Sequence, residues 1–333
     1  MKKRILIITT GGTLASSHGR EGLVPVLDSN YIFSRIEGMA KEFDIETVDL
    51  FSLDSSNIQP EEWQILGDTI YKNLDNFDGI IIIHGTDTMA YTSSALSYML
   101  QNISKPVVLT GSQLSILNPI ADAEENCRLA LNMAASNVPG IFIAFNRKVI
   151  LGCRASKVRT ISFDAFESIN SPYVGVVNSN GLDLARYTII PPKDPLKFKR
   201  ELNTKVFLLK LIPGIDPDIF QVLHQMGYKG VFIEAFGIGG LPFYRRDLAE
   251  SIGNAIKNGM TILVGSQCIY DGSNLSIYQT GQKILQQGAL QSYDMTTEAS
   301  VTKLMWVLGQ TENPEEIRMY FQKSLSGEVN LPE

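Results

Sequence analysis

The stretch Gly79-Ile80-Ile81-Ile82-Ile83-His84-Gly85-Thr86-Asp87-Thr88 decides the fold. Its first half is a continuous apolar run without alternation, the pattern of a parallel strand buried on both faces. Its second half turns abruptly polar. A helix is expected next over Thr88–Leu100, with Tyr91, Ala95, Tyr98 and Met99 on one side. Upstream, Arg4–Thr10 and Ile45–Leu53 read as strands. Asp28 is placed to cap a helix through about Phe43, whose Ile32, Ile36, Met39 and Phe43 share a face. Pro60 suits the first position of a helix, where its missing N–H is not needed. Downstream come a strand over Pro106–Thr110, a helix over Ala121–Ala135 and a strand over Gly140–Phe145. This alternation predicts a doubly wound, mainly parallel α/β sheet.

The pattern pauses at Ile189-Ile190-Pro191-Pro192-Lys193-Asp194-Pro195. Three prolines mark a linker, taken as 189–205, between a larger α/β domain over 1–188 and a smaller one over 206–333. The second set has strands expected at Val206–Leu211, Gly230–Ala235 and Met260–Gly265. A chain of 333 residues, 44% of them hydrophobic, is long enough for two cores. The net charge of -6 and the absence of a Lys/Arg run argue against nucleic acid as a partner. The apolar stretch Ile5-Leu6-Ile7-Ile8 is too short for a secretory core, and no run is long enough to span a bilayer. Cys127, Cys153 and Cys268 are scattered, with neither metal-ligand spacing nor a disulfide framework. A reducing cytoplasm is the compartment these features fit.

In an open parallel sheet, ligands bind beyond the carboxyl ends of the strands. Four polar segments occupy such ends. Thr9-Thr10-Gly11-Gly12-Thr13 offers a tight turn with a hydroxyl just past it, readable as a nucleophile or as a plain turn with a capping threonine. His84-Gly85-Thr86-Asp87-Thr88 packs an imidazole, hydroxyls and a carboxylate at one strand end. Thr86 or Asp87 could simply cap the following helix, but capping accounts for only one of them. His84 reads as a packed, hydrogen-bonded residue rather than a base. Asp54-Ser55-Ser56-Asn57 and Thr110-Gly111-Ser112-Gln113 have the same placement and are weak signals singly. Together the four make one rim.

Thr10-Gly11-Gly12-Thr13 and His84-Gly85-Thr86-Asp87-Thr88-Met89 resemble, in order and spacing, the two signature motifs of the asparaginase/glutaminase family. The nearest resemblance is to its bacterial type I, cytoplasmic L-asparaginases, and it extends from about Lys3 to Gly327. Asp54-Ser55-Ser56, the segment from Lys105 to Gln113 and Phe163-Asp164-Ala165-Phe166-Glu167-Ser168 add to it. The resemblance implies hydrolysis of the side-chain amide of L-asparagine to L-aspartate and ammonia through a threonine acyl-enzyme, without metal or organic cofactor. It implies Thr13 as nucleophile and Thr86, Asp87 and Lys157 as a second triad in which the lysine polarises the threonine hydroxyl. Lys157 is a residue that the sequence pattern alone reads as a surface lysine. Ser55 is matched to the substrate α-carboxylate and Asp87 to the α-ammonium. Asp54 and Ser56 line the same pocket, and the Ser112 carbonyl receives the side-chain amide. A homodimer or homotetramer is implied, with each site near a subunit boundary.

Two positions depart from the family pattern. Leu23 stands where several members carry a tyrosine in a covering loop; the nearest tyrosine, Tyr31, falls in the expected helix, and Tyr278 of a neighbouring subunit is the candidate substitute. Ser266-Gln267-Cys268 resembles part of a second, activating asparagine site. Glu234 stands where an arginine is expected to hold the effector carboxylate, so weak or absent activation is expected. Three other functions are weighed. A broader glutaminase-asparaginase differs by one methylene of selectivity. A component of a tRNA-dependent amidotransferase would be expected to carry a further domain before the first strand. A non-catalytic amino-acid-binding protein would not need Thr13, Thr86, Asp87 and Lys157 together.

Overall fold

The computed structural model describes residues 2–19, 22–25, 41–185 and 191–332. They fall into two compact units, Met1–Arg200 and Glu201–Glu333. The first unit is built on one sheet of eight strands: β1 (Lys3–Gly11), β2 (Phe43–Leu53), β3 (Gly79–Ile83), β4 (Pro106–Thr110), β5 (Gly140–Phe145), β6 (Lys148–Leu151), β7 (Gly175–Asn178) and β8 (Gly181–Leu184). Their order is β8-β7-β6-β5-β4-β3-β1-β2. The five strands β1 to β5 pair in parallel. The edge beyond β5 is antiparallel.

The strand period of two explains why β3 is apolar throughout. Ile81 and Ile83 enter one core with Ile5, Ile7 and Val108. Ile80 and Ile82 enter the other with Leu6, Ile8, Val107 and Leu109. The helix α3 (Ala123–Ala134) covers the first face through Leu129, Ala130 and Met133. Helices α1 (Pro60–Asn73) and α2 (Met89–Met99) cover the second through Leu66, Ile70, Met89 and Leu96. Each isoleucine so enclosed stabilises the fold by about 1.5–3 kcal/mol. Proline at the first turn of α1 and a capping box between Gln59 and Glu62 fix that helix's start.

The structure alters three expectations. The helix expected from Asp28 falls largely on residues outside those described, and Phe43, taken as its last apolar position, is the first residue of β2. The helix after β3 begins at Met89 rather than Thr88. Strands β6 to β8 have no counterpart in the sequence pattern. They start from a two-residue hairpin in which Asn146 and Arg147 have φ of 46° and 63°. Such a turn normally announces itself as Asn-Gly, and arginine at its second position hides the signal.

The second unit is a four-stranded parallel sheet: β9 (Val206–Lys210), β10 (Gly230–Ala235), β11 (Thr261–Ser266) and β12 (Leu290–Gln291), in that order. Residues Lys197–Phe198, within the segment expected to be linker, pair with Leu100–Gln101, and Leu196 and Phe198 pack on the first unit's core.

Candidate active site

The order β4-β3-β1-β2 and the shared strand direction bring four carboxyl ends side by side. The segments after β1, β2, β3 and β4 hold Thr13, Asp54–Asn57, His84–Thr88 and Gly111–Gln113. Backbone contact, not only adjacency, ties them together. Gly12 has a φ of +85°, and a β-carbon added there would lie 2.4 Å from the Cα and N of Gly85. One added at Gly85 would lie 2.6 Å from the Cβ and Oγ of Ser55. Only glycine allows three strand ends to touch in this way. Thr13 and Thr86 each follow one of the touching glycines.

Thr13 opens a short helical turn, Thr13–Ala15, and is half-buried. Among the described residues its side chain has no hydrogen-bond partner. Thr86 is buried, and its Oγ1 lies 2.9 Å from Lys157 Nζ. The same ammonium donates to Asp87 Oδ1 at 2.6 Å. Lys157 ends the short strand Ala155–Lys157, which pairs with Phe166–Ser168. Its side chain is 15% exposed, whereas that of Asp87 is 62% exposed and reaches toward solvent. One cation therefore holds a hydroxyl and a carboxylate in fixed relation.

Neither Thr86 nor Asp87 caps α2. The N-cap is Thr88, without a side-chain capping bond. The Thr88 hydroxyl instead donates to the Ser55 carbonyl at 2.7 Å. The Asp87 N–H donates to Ser55 Oγ at 3.2 Å, so buried Ser55 locks the β2 end to the β3 end. Asp54 accepts the Ser56 N–H at 2.8 Å and the Ser56 hydroxyl at 2.6 Å, capping the turn Ser55–Asn57. Asp54 and Ser56 are both exposed. Ser112 is buried, its hydroxyl turned to the Leu114 carbonyl.

His84 supports the site from beneath. The Gly85 carbonyl can only accept, so the 2.7 Å contact places the proton on His84 Nδ1. Nε2 then accepts from the Thr92 hydroxyl at 2.9 Å, and Thr92 accepts from Trp63 Nε1 at 3.0 Å. Burial pushes the imidazole down to about 4, against a partial opposing effect of the Gly85 carbonyl. His84 is neutral and structural.

Leu23 lies in a short antiparallel pair, Ser16–Gly19 with Gly22–Pro25, opposite His18. Tyr31 is outside the described residues. Tyr278 precedes the helix Gln279–Gln286 of the second unit and is 57% exposed. Glu234, near the end of β10, is buried; its carboxylate accepts from the Thr297 hydroxyl and lies 3.4 Å from Lys210 Nζ. Among the described residues no group of His, Cys, Asp and Glu could hold a metal ion. Nor is any helix there long and apolar enough to cross a membrane. Lys157 was invisible to pattern reading because its partners lie 71 and 70 residues away in sequence.

Fold and site define a class: two α/β units, with a threonine–lysine–aspartate cluster on the carboxyl edge of the larger sheet. Two family profiles match it, "Asparaginase, N-terminal" over residues 4–189 and "Glutaminase/Asparaginase C-terminal domain" over residues 205–321. The chain belongs to the asparaginase/glutaminase family. It is 39% identical over 328 residues to an L-asparaginase of Thermococcus kodakarensis, covering 98% of this chain and 99% of that one. The solved structure of the thermostable Thermococcus kodakarensis enzyme superposes with a TM-score of 0.93 at 38% identity, over 99% of this chain and all of that one. L-asparaginase I of Vibrio cholerae superposes with a TM-score of 0.86 at 29% identity, with 99% and 100% of the two chains covered. A component of the glutamyl-tRNA(Gln) amidotransferase of Pyrococcus abyssi is 35% identical over 337 residues, 98% of this chain and 76% of that protein.

Proposed function

We propose that the chain is an L-asparaginase of the type I, cytoplasmic kind, hydrolysing the side-chain amide of L-asparagine to L-aspartate and ammonia. The observation that carries this reading is the Lys157 ammonium on both Thr86 and Asp87, beside the strand end that holds Thr13. Relatives named L-asparaginase from Thermococcus kodakarensis and Vibrio cholerae support it.

In this reading Thr13 attacks the amide carbon and ammonia leaves. Water then cleaves the acyl-enzyme. A free hydroxyl is a weak nucleophile, so the reaction needs groups that direct its proton. Thr86 and Lys157 serve that end. Exposed Asp87 takes the substrate α-ammonium, Ser55 the α-carboxylate with Asp54 and Ser56 at its side, and the Ser112 carbonyl the leaving amide. N–H groups of the turn before α2 face the developing oxyanion, each donor worth about 3–4 kcal/mol. The chain works as a homodimer or homotetramer. Apolar side chains left in solvent on each unit, Ile120, Ile161, Phe243 and Tyr244 among them, suit that assembly.

A second reading, a component of an amidotransferase, has the Pyrococcus abyssi relative in its favour. Ammonia release from purified protein tests the first. Release from L-asparagine well above that from L-glutamine is expected, with a loss of at least about a thousandfold in Thr86→Val. No asparagine-dependent ammonia from the wild type would refute the reading.

A further inference from the structure

Gln113 has no part in the roles assigned above, yet its position is determined on every side. Its main chain is held by Asp122, a carboxylate 8% exposed. Asp122 accepts the N–H of Gln113 at 3.1 Å on each oxygen, the N–H of Leu114 at 3.2 Å and the Asn126 amide at 3.0 Å. Asn126 also donates to the Gly111 carbonyl at 2.9 Å. The Gln113 side chain is held as firmly. Nε2 donates to the carbonyls of Thr160 at 3.1 Å and Ser162 at 3.0 Å. Both of its N–H bonds are used, and a flipped amide would set its oxygen against two carbonyls. Oε1 therefore faces Thr86 Oγ1 at 3.2 Å.

Proton counting fixes what passes between them. The Thr86 hydroxyl has one proton. An ammonium only donates, so the contact with Lys157 consumes a lone pair of Thr86. The Gln113 oxygen only accepts, so it receives the proton. Resting on the asparaginase reading of this site, we propose that Gln113 is a positioning residue that sets the rotor of Thr86. It draws the hydroxyl proton to itself, leaves one lone pair to Lys157 and turns the other toward the substrate space. Thr86 then meets an incoming hydroxyl or amide as an acceptor. An amide oxygen is no base at neutral pH, so no proton changes owner in this contact.

Two variants separate this role from that of a staple for the loop at 160–162. Gln113→Met removes both the acceptor and the donors. Gln113→Glu, ionised at pH 8, loses the donors but keeps an acceptor for Thr86. Both lose the two bonds to the loop, and the carboxylate also repels its carbonyls, so both lower the melting temperature and the glutamate variant at least as much. In the methionine variant kcat on L-asparagine should fall about tenfold, the weight of one neutral hydrogen bond, with KM within about twofold. The glutamate variant should stay within about threefold of wild type in kcat. Equal losses in the two variants, or no loss in Gln113→Met, would overturn the proposal. Wild-type turnover is measured first; its absence would strike the asparaginase reading itself, whereas wild-type turnover with parallel losses would strike the Gln113 assignment alone.

Discussion

His84 stands one residue past the apolar run of β3, and its burial has a price in acid. Its folded value of about 4 lies below the ordinary 6.5. Above pH 6.5 both folded and unfolded chains carry it neutral. Between about 6.5 and 4 the unfolded chain binds a proton that the folded one refuses, so stability falls as pH drops through that window. The loss from this residue is about 3 kcal/mol by pH 4. Urea unfolding followed through Trp63, which hydrogen-bonds to the same threonine, reads it in a Trp306→Phe background. In His84→Gln the pH 7 to pH 4 difference should shrink by about that amount; an unchanged difference would contradict the assignment. At this scale the sequence was uneven. Thr13, Thr86 and Asp87 stood out because they follow apolar strands. Lys157 came only from family resemblance, and Gln113 passed as one polar residue in a weak segment. Both act through partners distant in the chain, and no local pattern records such contacts.

At the scale of elements, the touching glycines matter most. Gly12→Ala needs a left-handed backbone with a β-carbon 2.4 Å from Gly85 backbone atoms. The β1 and β3 ends must separate, and Thr13 moves from Thr86. A shift of about 1 Å can cost a hundredfold, so kcat/KM should fall at least that far while far-ultraviolet dichroism is kept. A variant of near wild-type activity would show that the two ends need not touch. Gly79–Ile83, Pro106–Thr110, Gly140–Phe145 and Gly230–Ala235 were legible to the residue, because a strand buried on both faces is written as an apolar run with abrupt ends. The antiparallel edge was not, because β6 to β8 are short, partly exposed and entered through an Asn-Arg turn.

At the scale of the molecule, the division into a larger and a smaller α/β unit followed from the run of elements, whereas residues just before Glu201 belong with the first core. In the second unit Glu234 stands where the family resemblance expects an arginine, its carboxylate accepts from Thr297, and the nearby cation, Lys210, is already paired with it. Rate against L-asparagine concentration should be hyperbolic; sigmoid curves would contradict this. In the proposed reading, strand ends far apart in sequence form one hydrolytic site. Ammonia release from L-asparagine by Thr13→Ala, Thr86→Val and the double variant is the decisive measurement. Residues acting as a unit are not additive. Each single change should remove at least about a thousandfold of kcat/KM, and the double variant should be no worse than the weaker single. Substantial turnover in either single variant, or losses that multiply, would contradict it.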